Sequence, residues 1–242
     1  MLEVLWLRFD APLVSFGGAA VDNFGVVQDY PGLSLLTGLI ANALGYAHAD
    51  ADRLATLQAR LRYAVRCDRP GVRLRDYQTV DLGQDFLTDT GWTTRGARQD
   101  RRGGPASDMT HQRYRDYQAD SVHTVALTLT AGEAPSLDQI EAALRAPERP
   151  LFIGRKCCLP SAPLVLGRTQ AATLREALVK APLLPPARRP EGRAVRAFWP
   201  AEEGGTPSRI IATTDERDWR NQVVCGRRLL REGLLTLEVG DA

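Results

Sequence analysis

Lysine is almost missing from this chain. Of 31 basic residues only Lys156 and Lys180 are lysines, so the positive charge is carried by arginine, whose planar fork pairs with phosphate at two points and stacks on bases. GC-rich coding sequence gives the same bias, so composition alone assigns no function. Cysteine is scarce as well. Cys67, Cys157, Cys158 and Cys225 form no C-x-x-C pair, and an adjacent pair is poor geometry for zinc, so buried free thiols and no metal site are expected. No P-loop, dinucleotide fingerprint, G-x-S-x-G or H-E-x-x-H occurs, and no cofactor is called for. Long apolar runs are lacking too. The stretch Leu33–Ala47 is broken by Ser34, Thr37, Gly38, Asn42 and Gly45 and cannot span a bilayer. The start, Met-Leu-Glu-Val-Leu-Trp-Leu, is not of signal type, so a cytoplasmic protein without a membrane partner is expected.

What remains is an ordinary globular composition, 44% hydrophobic and 25% charged, over 242 residues. The net charge is +2, so any affinity for nucleic acid has to come from local patches. Alternation predicts strands over Leu2–Phe9, Arg60–Cys67 and Val122–Thr130. Helical spacing of Leu36, Leu39, Ile40, Ala43 and Leu44 predicts a helix from Pro31 to Gly45. Gly38 inside it costs about 1 kcal/mol relative to alanine and is either tolerated or kept for a close approach by backbone or ligand. Ser136-Leu137-Asp138-Gln139 reads as a capping box that opens a second helix, and a short strand is expected near Leu151–Ile153.

The order strand, helix, strand, strand, helix, strand is that of an α+β, ferredoxin-like, RRM-type domain. Such a sheet can leave one face open for RNA. Here that face would carry Trp6, Arg8, Arg62 and Arg66, and it is either open or covered by the rest of the chain. A domain over 1–165 is expected, with a long insertion at about 76–121. Six arginines and three aspartates between Arg95 and Tyr117 give the insertion a local charge of +3. A small β-rich C-terminal region, 166–242, is expected to follow. It contains a short helix at Leu174–Leu178 and strands at Val195–Trp199, Arg209–Ala212, Trp219–Val224 and Leu234–Glu238.

Four blocks carry a resemblance to a known family. They are Leu7-Arg8-Phe9-Asp10-Ala11-Pro12-Leu13 running to Ser15-Phe16-Gly17; Pro31, Ser34 and Leu35-Leu36-Thr37-Gly38-Leu39-Ile40 with Ala43-Leu44-Gly45; Ala64-Val65-Arg66-Cys67-Asp68 with Leu74-Arg75-Asp76-Tyr77-Gln78-Thr79-Val80; and Arg149-Pro150-Leu151-Phe152-Ile153-Gly154-Arg155-Lys156-Cys157-Cys158 with Pro163-Leu164. Tyr114-Arg115-Asp116-Tyr117 and Thr124-Val125-Ala126-Leu127 add to them. The chain resembles the type I-E branch of the fifth CRISPR-associated protein family, part of the repeat-associated, RRM-like RNA-binding superfamily. The resemblance implies a non-catalytic subunit of the Cascade surveillance complex. Such a subunit holds the 5′ handle of the CRISPR guide RNA, caps the filament of backbone subunits beside the large subunit, and contributes to binding target DNA as a duplex with the guide.

Carried over by position, the handle-binding residues are Ser15, Gly17, Gly18, Ser34, Arg75, Tyr77, Arg155 and Lys156. The insertion resembles the family's thumb, with Arg98, Arg101, Arg102, Arg113 and Arg115 as its contacts. Family members often carry basic residues before the first helix. This chain has Val26 to Leu33 there with Asp29 among them, and no contact is carried over. The rival reading is a metal-independent endoribonuclease, because a cousin subtype of the family cleaves repeat RNA. Such cleavage needs a general base, and histidine suits it near neutral pH. His123 is in phase with the core positions of its strand, His48 follows the first helix, and His111 lies in the insertion near Tyr114 and Tyr117.

Overall fold

The computed structural model describes residues 1–18, 24–81, 91–92, 98–99, 110–185 and 194–237; for 80, 81, 91, 92, 98, 99, 110 and 111 it describes the backbone alone. The chain opens with β1 (Leu2–Asp10), the short β2 (Leu13–Val14) and β3 (Phe24–Gly25), then α1 (Leu33–Ala43), α2 (Ala51–Arg60) and β4 (Leu61–Arg69). An arm follows, made of β5 (Val72–Asp81), the pair β6 (Gly91–Trp92) and β7 (Arg98–Gln99), and β8 (Thr110–Ala119). Next come β9 (Val122–Leu129), α3 (Leu137–Arg145), β10 (Val165–Ala171) and α4 (Leu174–Lys180). The last stretch holds β11 (Ala194–Pro200), β12 (Ser208–Thr213), β13 (Glu216–Asp218), β14 (Val223–Cys225) and β15 (Arg228–Thr236). Among the described residues no helix is long and apolar enough to cross a membrane.

Seven strands form one sheet in the order β10-β1-β9-β4-β11-β15-β12, with every neighbouring pair antiparallel. Alternation along the strands sends side chains to two faces. On the first, Leu5, Leu7, Phe9, Tyr63, Val65, Val125 and Leu127 pack with Leu36, Leu39 and Ile40 of α1 and Ile140 of α3 in one buried cluster. The other face is covered as well. Val4, Trp6, Ala64 and Ala126 pack under Leu174, Ala177 and Leu178 of α4. The Trp6 indole N–H donates to the Ala177 carbonyl at 2.9 Å. Arg66 is 0% exposed; it pairs with Asp68 at 2.6 Å and donates to the carbonyls of Leu178, Ala181 and Pro182. Arg8 reaches the Pro182 carbonyl. Of the four residues named for an open face, only Arg62 stays exposed.

Three expectations are corrected by this arrangement. Leu151–Ile153 is not a strand. Pro150 has no N–H to donate, Gly154 turns the chain at φ +102°, and the Ile153 N–H donates to the Cys158 carbonyl at 2.7 Å. Ile153 is apolar because it plugs the core, and the strand beside β1 is β10 instead. Trp219 to Gln222 is the turn between β13 and β14 rather than strand, with Gln222 at positive φ. The boundary drawn at residue 165 falls at the start of β10, and β11 pairs with β4, so the C-terminal residues continue the central sheet.

The first helix is capped from far away. Gly32 at its N-cap has no side chain, so Asp215 supplies the acceptors. The Leu33 N–H donates to the Asp215 carboxylate at 2.9 Å, and the Ser34 N–H donates to its carbonyl at 2.8 Å. Tyr63 Oη at 3.1 Å and the Arg228 guanidinium at 2.6 Å also bind that carboxylate. A Cβ at Gly32 would lie 3.1 Å from the Asp215 Cβ, which accounts for the glycine. The capping box of α3 forms as read, with Gln139 N–H on Ser136 at 3.2 Å and Ser136 N–H on Gln139 at 2.8 Å.

Two outcomes are expected. Asp215→Ala leaves the largely buried Arg228 without its carboxylate and removes the Leu33 half of the α1 cap, while the backbone carbonyl still accepts from Ser34, so it should cost about 3–5 kcal/mol in urea unfolding, more than Asp215→Asn. His123 is buried edge-on to Phe16 at 4.9 Å, and burial lowers its pKa to about 4. The folded state then resists a proton that the unfolded state takes up below its ordinary value near 6.5. Stability should therefore fall as pH drops from about 6.5 towards 4, by about 2 kcal/mol at pH 5, and His123→Gln should remove that much of the slope.

Candidate nucleic-acid interface

The residues after α3 are tied to the last turn of α1. The Glu148 N–H donates to the Ala43 carbonyl at 3.0 Å, and the Asn42 amide donates to the Pro150 carbonyl at 2.8 Å. Arg149 closes the helix end by donating to the carbonyls of Gly45 and Tyr46 at 3.0 and 2.8 Å, where a cation complements the helix dipole. The chain then runs beside the helix, turns at Gly154 and presents Lys156. Gly154 sits so close to the Ser15 carbonyl that a Cβ there would fall 2.0 Å from the oxygen. The Ser15 N–H donates to the Ile153 carbonyl at 3.1 Å.

Between α1, this segment and the turn at Trp219 lies a cleft of about 480 Å³. Ser34, Gly38 and Asn42 line its helix wall, and Arg149, Gly154 and Lys156 line the opposite one. Arg217 and Trp219 close it, and His48 lies at its rim. The lining includes three cations, Arg149, Lys156 and Arg217, and among the described residues no Asp or Glu.

The other carried-over residues lie elsewhere. Arg75 spends its fork on Asp116, at 2.7 and 3.1 Å, and that pairing lowers the Asp116 pKa. Tyr77, 52% exposed, stands two residues further along β5, beside Tyr114. Arg155 points away from the cleft. It donates to the Asp116 carbonyl at 2.7 Å and to the Gly25 carbonyl at 3.0 Å, with its guanidinium 4.7 Å from the centre of the Tyr117 ring. Gly17 makes a bridge to Val27, and a Cβ on it would meet nothing within 4 Å. Gly18 lies against the Gln28 side chain. On β8, Arg115 donates to the Gln78 side chain at 3.0 Å, and Arg113 opposes Gln78 in register. Arg98 belongs to β7, with its side chain outside the described residues; Arg101 and Arg102 lie outside them altogether, as does the side chain of His111.

The structure thus brings Ser34 and Lys156 together in the cleft. Arg75, Tyr77, Arg113 and Arg115 gather on the β5–β8 arm, and Ser15 and Arg155 join the two regions. Sequence reasoning missed Arg217 and Trp219, which sit in a tail without a motif and reach the cleft only through the β13–β14 hairpin. Arg149 was visible as part of a block, but nothing in its spacing assigned it to a helix end. Burial pushes the Cys158 thiol up to about 12.

Comparison with known proteins gives one answer. The CRISPR-associated protein family (Cas_Cas5) matches residues 4–231. The chain is 33% identical over 187 residues to "CRISPR system Cascade subunit CasD" of Escherichia coli strain K12, covering 74% of this chain and 77% of that one. A chain of a solved "CRISPR RNA-guided surveillance complex" superimposes with a TM-score of 0.68 at 31% identity, over 98% of this chain and 90% of that one. A second solved structure, "Crystal structure of Cas protein", gives 0.62 at 27% identity, over 97% and 96%. With a family match over nearly the whole chain and a structural likeness of the same extent, this protein belongs to the Cas5 family of CRISPR-associated proteins and is a relative of a Cascade subunit.

Proposed function

We propose that this chain is the Cascade subunit that holds the 5′ handle of the guide RNA, without cutting it. The observation that carries this reading is the cleft beside α1. Three cations line it with no acidic residue among the described ones, and Ser34 reaches it from α1 while Gly154 and Lys156 reach it from the turn after α3. Gly38 adds to the case. Among the described residues a Cβ at that position would meet only the Trp219 ring edge, at 3.9 Å, so none of them requires the glycine. A helix backbone left bare on a cationic cleft suits close approach by a phosphate chain.

The finer fold reading belongs here too. Taking β10, β1, β9 and β4 as one unit, with α1 and α3 as its helical connections, gives the strand order of a ferredoxin-like, RRM-type core. The β5–β8 arm is then the stem of the thumb. Its proposed role is to press near the start of the guide–target DNA duplex, with the backbone and large subunits as neighbours. The name of the Escherichia coli relative, a Cascade subunit, supports other Cascade components as neighbours.

Three measurements test this. Gly38→Ala should leave the protein as stable, or more stable by up to about 1 kcal/mol, and should weaken binding of the repeat-derived handle RNA. Unchanged RNA affinity would remove the strand from the cleft. Lys156→Ala should lower the salt dependence of RNA binding by a slope of about 0.7, the share of one phosphate on a single strand. Arg155→Ala should leave that slope alone, because its guanidinium is spent on the Asp116 and Gly25 carbonyls. Incubated with repeat RNA in EDTA, the protein should leave the RNA intact. A product ending in a 2′,3′-cyclic phosphate, abolished by His48→Ala or His111→Ala, would establish the endoribonuclease instead.

A further inference from the structure

Phe24, Tyr114 and Tyr77 form one row across three strands. Phe24 of β3 stands opposite Tyr114 of β8, and Tyr114 stands opposite Tyr77 of β5. The Phe24 and Tyr114 rings stack at 5.0 Å with an interplanar angle of 11°, and Tyr77 leans on Tyr114 at 5.2 Å and 35°. This row is not core. Phe24 is 41% and Tyr77 52% exposed. Burial would recover far more of the hydrophobic free energy of such rings than an open stack does.

The charge beside the row is fixed. On the same face of the arm, Arg75 lies 5.8 Å from the Phe24 ring centre and 6.0 Å from that of Tyr114, locked in orientation by Asp116. Two residues back on β5, Arg73 has a side chain 57% exposed. Flat π-surface next to oriented guanidinium groups is what an unpaired nucleobase with its phosphate requires. Aromatic and arginine side chains are also enriched at protein interfaces, so a neighbouring subunit is the competing occupant that the test has to separate.

We propose that the Phe24–Tyr114–Tyr77 row is a stacking platform for an unpaired base of single-stranded RNA, at the root of the arm and separate from the cleft. The proposal rests on the RNA-holding reading above. A base laid on Tyr77 extends the row by one ring. Because every base has a π-face, the platform selects for an unstacked position of the strand rather than for a sequence.

The test uses the full chain and repeat-sequence single-stranded RNAs, each carrying 2-aminopurine at one position, with fluorescence quenching and affinity read together. Quenching should be confined to a short run of adjacent positions. Tyr77→Leu should abolish it and weaken binding about tenfold. Tyr77→Trp should preserve both, and the circular dichroism melt of either variant should stay with the parent. If the parent and Tyr77→Leu bind RNA equally and no position is quenched through Tyr77, the platform is wrong and RNA holding by the cleft stands. If the parent binds none of these RNAs at low salt, the RNA-holding reading fails and the platform falls with it. If Tyr77→Leu keeps its RNA affinity but loses a neighbouring subunit, the row is a protein contact and the proposal is overturned.

Discussion

A helix that starts with glycine has N–H groups that nothing local can satisfy, and the cap of α1 is the constraint on which much of this fold depends. Four N–H groups at a helix start need acceptors. Here two of them are met by one residue far along the chain, Asp215, whose carboxylate is in turn held by Tyr63 and Arg228. The cap is therefore a long-range contact that needs the connection after β12 in its native place. The same device recurs on the opposite face. Glu203 accepts from the Leu174 and Arg175 N–H groups at 3.0 and 2.9 Å, so α4 is also started by a carboxylate from the C-terminal region. Both layers that cover the sheet are pinned by the segment with least resemblance to any motif.

The second face of the sheet explains why an arginine-rich strand pattern can mislead. Trp6, Arg8 and Arg66 have the composition of an RNA-binding surface. Yet the Trp6 and Arg66 donors are consumed by backbone carbonyls around the end of α4. A buried arginine with its donors on carbonyls and a carboxylate beside it avoids the large cost of an unpaired buried charge. Periodicity reports which side chains share a face. It does not report whether a later helix will lie on them.

What could be read from the sequence was whatever depends on short-range pattern. Alternation located β1, β4 and β9; helical spacing located α1; a four-residue box located the start of α3. What could not be read depends on pairing between distant segments. The strand β10 carries Gly167, Arg168, Thr169 and Gln170, a weak β-former, and is held by its register with β1. The helix α2 escaped notice because only Leu54 and Leu57 supply its buried apolar side chains. The strands of the arm's stem were not predicted within the insertion because β5 is exposed on both faces, so no core-facing side marks it. For the cleft, Ser34 and Lys156 were named from motif position, whereas Arg217 and Trp219 needed the hairpin that carries them.

Arg155 gives the molecule a fulcrum. Its guanidinium bridges the turn that bears Lys156 to the carbonyls of Gly25 and Asp116, at the base of the arm. From Asp116 the arm runs on through six residues of β8 to Thr110, paired with Arg75 to Asp81 of β5, a lever about 20 Å long at about 3.3 Å per residue. A tilt of about 5° at that pivot would swing its far end by about 2 Å over that length. The contacts at the pivot are charge-assisted and short, so they resist such a tilt, and whatever disturbs the turn at Gly154 is magnified at the other end of the strand.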